Sequence, residues 1–119
     1  MNYVDGFIVP VPIKKVGEYV KLARKVGKIW RELGALEYHE CMADHVDLGP
    51  KSPFARGVKL KKGETVFFSY IVYKSRKDRD RVNDLVMKDP RVAKLCKVGE
   101  MPFDFKRMGW GGFKAKHSC

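Results

Sequence analysis

The alternation of apolar and polar positions changes period several times along the chain, and each change marks an element. Residues 3 to 9, "YVDGFIV", are β-branched or aromatic apart from Asp5 and Gly6, which predicts a strand closed by Pro10 and Pro12. From Ile13 to Leu33 the spacing becomes helical. Val16, Tyr19, Val20, Ala23, Val26, Gly27, Trp30 and Leu33 follow the i, i+3, i+4, i+7 rule, with Gly34 placed to close the helix. "ALEYHECMA" (35–43) returns to strict alternation: Leu36, Tyr38, Glu40 and Met42 share one side, and Glu37, His39 and Cys41 the other. An irregular stretch with Gly49, Pro50 and Pro53 precedes "ARGVKL", read as a short strand, and a turn at Gly63.

"TVFFSYIVY" (65–73) is the strongest strand, apolar or aromatic almost throughout, a pattern that expects cover on both faces. Ser75, with Asp78 three residues on, predicts a capped helix whose buried stripe is Val82, Leu85 and Val86. Asp89 and Pro90 begin a further helical stretch, "DPRVAKL", and "KRMGWGGFKAK" ends the chain's pattern as a strand. The resulting order, β-α-β-(β)-β-α-β, is an α+β, ferredoxin-like split βαβ arrangement with an antiparallel sheet and an added hairpin strand.

Glycines inside a strand remove packing and mark a bulge or the close approach of another backbone. "GWGGF" (109–113) precedes no helix and lacks phosphate-loop spacing, so it is read as structural. Two helices cover only one face of such a sheet. Tyr3, Phe7 and Val9 lie on one side of the first strand and Val4 and Ile8 on the other, so both sides need burial. A second copy packed sheet to sheet across a two-fold axis meets that need, and a homodimer is expected.

The chain's 119 residues fit a single domain, 1–119. No run approaches the roughly 20 apolar residues that span a bilayer, and the N-terminus lacks a basic leader, so a cytoplasmic protein without membrane contact is expected. Cys41, Cys96 and Cys119 have no CxxC spacing; reduced thiols are expected rather than disulfides or zinc. The net charge of +11 favours anionic partners.

"YVDGF" with "VPVP", "GALEYHEC", "VKL", "DPR" and "MPFDFKRM…GGF" occur in an order that resembles the YbaA-like family (DUF1428) over essentially the whole chain. The resemblance implies a dimeric α+β barrel on a ferredoxin-like fold and no established activity. Phe105 stands where family members typically carry glycine, "WGGFK" replaces their "YGGFE", and relatives are generally less basic.

Such barrels include cofactor-independent monooxygenases, haem-degrading enzymes and isomerases that hold an aromatic substrate between sheet and helices. A pocket of this kind, for a small apolar or aromatic ligand, is expected around Asp5, Phe7, His39, Ser69 and Trp110. His39 is the foremost acid/base candidate because imidazole titrates near neutrality, with Glu37 two residues away to tune it; a solvated edge-strand pair is the plainer reading. Asp5, mid-strand, needs a partner if buried, and Arg107 or Lys106 could serve; a structural ion pair is favoured over catalysis. Cys41 is a nucleophile only with a base and a positive environment, and an inert thiol is expected. No cofactor is expected, and His39, His45 and His117 have no metal-ligand spacing. Lys21, Arg24, Lys28 and Arg31 form a basic stripe on the first helix. A solvated face is expected there, with weak, nonspecific and salt-sensitive nucleic-acid or anion binding as the alternative.

Overall fold

The computed structural model describes residues 2–97 and 99–119. β1 (Tyr3–Pro12) passes through a 3-10 turn (Ile13–Lys15) into α1 (Val16–Glu32), followed by β2 (Glu37–Met42), α2 (Pro53–Gly57) and β3 (Glu64–Tyr73). Then come α3 (Arg76–Lys88), α4 (Pro90–Leu95), a 3-10 turn (Phe105–Arg107) and β4 (Gly109–Lys114). The four strands form one sheet in the order β2-β3-β1-β4, antiparallel at every pairing.

Local chemistry sets the boundaries. Ser75 Oγ accepts the Asp78 N–H at 3.1 Å and starts α3. Asp89 accepts the Arg91 N–H at 2.8 Å, with Pro90 at the first helical position, so α4 begins where α3 stops. Gly34 takes a φ of +128°, open to glycine, and turns the chain from α1 into β2.

"ARGVKL" is not a strand. Ser52 Oγ accepts the Phe54 and Ala55 N–H groups, and Pro53 opens the short helix α2. The helix closes through Lys59 at φ 51°, with the Leu60 N–H on Ala55 O at 3.0 Å. A Ser-Pro start thus overrides the weak strand propensity that follows it, and no hairpin strand joins the sheet among the described residues. The last strand is also shorter than expected. Asp104 accepts the Lys106 N–H at 3.0 Å and winds Phe105–Arg107 into a turn before β4.

The odd-numbered residues of β1 and β3 face the helices. Val9, Val11, Tyr19 and Phe67 form one core cluster; Ile29, Ile71, Tyr73, Val82, Val86 and Val92 belong to a second. Burying each large apolar side chain stabilises the fold by about 1.5–3 kcal/mol. The other sheet face is covered unevenly: Val66 and Val72 are buried, whereas Phe68 is 50% and Phe113 62% exposed.

Candidate functional site

Strand alternation determines which polar side chains meet the helices. In β2, Tyr38 pairs with Ile71 and Glu40 with Ser69, so Tyr38 and Glu40 project to the helix side. α1 brings the buried Tyr19 over the same spot, its ring 4.5 Å from Phe67 and 5.6 Å from Phe103. Three hydroxyls then converge on one carboxyl. Tyr19 Oη donates to Glu40 Oε1 at 2.8 Å, Tyr38 Oη donates to Oε2 at 2.9 Å, and Ser69 Oγ donates to Oε1. A carboxyl that only accepts has the hydrogen-bond pattern of a carboxylate. Burial and then the neighbouring Glu40 charge push both tyrosine hydroxyls well above their ordinary pKa, so they stay protonated as donors.

This cluster sits in the wall of a cleft of about 350 Å³ between the sheet, α1, α4 and residues 101–108. Apart from the hydroxyl–carboxylate group, the lining is largely aliphatic, aromatic and methionine. Cys96 also borders it, and burial pushes its thiol up. A helix–strand close approach holds the wall in place: a Cβ at Gly27 would lie 2.6 Å from Tyr38 Cδ1.

The expected pocket residues divide. Phe7 and Ser69 line the cleft. His39 contributes to its rim, but its ring belongs to the other sheet face, where it stacks on Tyr70 at 4.6 Å and contacts Glu37 Oε1 at 2.9 Å. Cys41 is exposed on that same face, paired with Phe68. Trp110 stacks on Phe7 at 6.5 Å but lies outside the cleft lining and is 61% exposed.

Asp5 also lies outside the cleft. It is buried, and its partner is neither Arg107 nor Lys106: Arg79 Nη1 of α3 stands 3.8 Å from Oδ1. Burial raises the Asp5 pKa, while the Arg79 charge opposes the rise. Arg79 also donates to Tyr3 Oη at 3.1 Å and lies over the Tyr3 ring. Arg107 is taken by Glu64, to which it donates from both terminal nitrogens, at 2.8 Å from Nη1 to Oε1. That bidentate pair ties the turn before β4 to the start of β3, which is why Arg107 does not reach Asp5.

Lys21, Arg24, Lys28 and Arg31 are exposed along α1, and none lines the cleft. Among the described residues, no group of three or more His, Cys, Asp or Glu converges as metal ligands, and no helix is long and apolar enough to cross a membrane.

Glu40, which sequence reasoning counted among the polar residues of its strands but gave no role, is the charged residue the structure brings into the cleft wall. Its signal was present: it is the one charged position on the side of β2 that carries Leu36, Tyr38 and Met42.

The family model described as "Protein of unknown function (DUF1428)" matches residues 2–105. The "Uncharacterized protein YbaA" of Escherichia coli strain K12 is 44% identical over 116 residues, covering 97% of each chain, and the YbaA of Shigella flexneri matches to the same extent. Among solved structures, the de novo designed protein Foldit4 aligns over 98% of this chain and 100% of its own, at a TM-score of 0.52 and 15% identity. This last likeness is one of fold alone.

Proposed function

The chain belongs to the DUF1428 family of proteins of unknown function, and we propose that it is a homodimeric, small-molecule-binding α+β barrel protein of ferredoxin-like build. The single observation that carries the binding reading is the Glu40 carboxylate, held by Tyr19, Tyr38 and Ser69 in the wall of an otherwise apolar cleft. A cleft of this size, with a few convergent polar groups, suits a small apolar or aromatic molecule anchored at one end. The strand order and the placement of both long helices on one face support the ferredoxin-like build. Phe68 and Phe113, exposed on the opposite face, support a second copy as its cover.

The same carboxylate favours a second reading, a cofactor-independent enzyme of the isomerase or monooxygenase kind. A carboxylate in the cleft wall is a proton acceptor within the space a substrate would fill, and the three hydroxyls hold it in position. In that reading Glu40 replaces His39 and Asp5 as the acid/base group. Binding at the basic α1 stripe would be a separate property, remote from the cleft.

The test uses the neutral fluorophore N-phenyl-1-naphthylamine, with native mass spectrometry of the untagged protein. Saturable binding of one probe per subunit of a dimer, weakened at least tenfold by filling the cleft with Ala93→Trp, is expected. A folded protein that binds no probe would refute the cleft, and a bare monomer at micromolar concentration would refute the dimer.

A further inference from the structure

The walls of the cleft select for charge as well as for shape. Six aromatic rings border it: Phe7, Tyr19, Trp30, Tyr38, Phe103 and Phe105. Aromatic faces carry negative quadrupole density and attract cations, most strongly where water is excluded. Met87, Met101 and Met108 add polarizable thioethers, which adapt to varied apolar bodies. Among the described residues, the lone acidic side chain of the lining is Glu40. Among the described residues, no lysine or arginine borders the cleft, in a chain that carries 25 of them.

The hydroxyl network leaves room for a charged ligand. Oε1 of Glu40 accepts two hydrogen bonds and Oε2 accepts one, so Oε2 keeps acceptor capacity. Passing a proton from either tyrosine to Glu40 would only move the negative charge onto a buried phenolate, which burial disfavours, so the cluster keeps one negative charge on the carboxylate. A ligand cation would complete the site, with its charge at Glu40 and against ring faces and its apolar body among the methionines.

From this arrangement we infer that the ligand is an organic cation, an ammonium group on an apolar or aromatic body, held between the Glu40 carboxylate and the aromatic rings. This inference rests on the small-molecule-binding reading above and specifies the ligand class of that same cleft. Neutral aromatics of the same shape bind more weakly, and aromatic anions are rejected by Glu40, with no lysine or arginine of the lining to receive them and the His39 ring turned to the other sheet face.

Three compounds of similar shape test it by isothermal titration or by displacement of N-phenyl-1-naphthylamine: benzyltrimethylammonium, its neutral carbon isostere neopentylbenzene, and benzylsulfonate. The cation should bind about tenfold or more tighter than the isostere, the combined effect of one close charge and the ring faces. Glu40→Gln should lower the affinity for the cation more than that for neopentylbenzene, leaving only the smaller part of the preference that the ring faces supply. Equal affinity of wild type for cation and isostere would overturn the inference, as would binding of the sulfonate in preference to the cation. The ligand comparison on wild type decides the matter even if Glu40→Gln fails to fold. If the neutral fluorophore binds and the cation does not, the charge inference alone falls; if neither binds, the cleft reading falls with it.

Discussion

Glu64 exchanges solvent for two hydrogen bonds from Arg107, and those bonds hold its carboxyl below the ordinary glutamate pKa, against the opposing effect of burial. A carboxyl whose folded pKa is depressed stabilises the fold fully above its unfolded value, near 4.5, and loses that contribution as the pH falls through the folded value. Glu64→Gln should therefore cost about 1.5–3 kcal/mol at pH 7 by denaturant titration. The gap from wild type should close as the pH is lowered toward 3. A gap independent of pH would mean that the Arg107 pair is not what Glu64 contributes. Asp5 acts in the opposite sense. Burial raises its pKa, so its contribution weakens as the pH rises from 3.8 through the folded value. That Asp5 would need a partner was legible from its position among apolar neighbours. Arg79 as that partner was not, because the α3 packing that brings it there is a long-range event.

At the scale of elements, the glycines of β4 separate by function. A Cβ at Gly112 would lie 2.2 Å from Tyr3 Oη, whereas one at Gly109 meets nothing within 4 Å. Gly112 thus lets the Tyr3 ring cross β4 and receive Arg79. Gly112→Ala should lower stability by about 1–3 kcal/mol, as overpacking does. Gly109→Ala should stay within about 0.5 kcal/mol of wild type. Equal melting temperatures for the two variants would remove the close-approach explanation. The sequence suggested a bulge or the approach of another backbone at these glycines; what Gly112 admits is instead the Tyr3 side chain of the neighbouring strand. In β2 the alternation was legible to the residue, yet the candidate chemistry was assigned to the His39 side. Alternation separates two faces and does not say which one the helices cover. The missed α2 has a different cause: a Ser-Pro cap acts over a few residues and outweighed a longer but weaker strand pattern.

At the scale of the whole molecule, the exposed Phe68 and the net charge each lead to a measurement. Phe68→Asp places a charge in the middle of the proposed dimer face and should shift the sedimentation coefficient from dimer to monomer at micromolar concentration. An unchanged dimer would put the interface elsewhere. The charge of +11 opposes the approach of a cation, while the Glu40 attraction acts only at short range. Raising ionic strength from about 0.01 to 0.1 M shortens the screening length from ~30 to ~10 Å. The association rate of benzyltrimethylammonium should rise accordingly in stopped-flow measurements. A rate that falls with salt would show that attraction, not repulsion, dominates the approach. The chain by itself determined the positions of its main strands and helices, the caps at Ser75 and Asp89, and the glycine that closes α1. Periods of 2 and 3.6 and capping hydrogen bonds act between near neighbours. Only the tertiary structure decided that Glu40 rather than His39 meets the helices, and that Tyr19 and Ser69, 21 and 29 residues away, complete its hydrogen bonds. It likewise assigned Arg79 to Asp5 and Arg107 to Glu64. Such pairings depend on which elements pack together, and no local pattern records that.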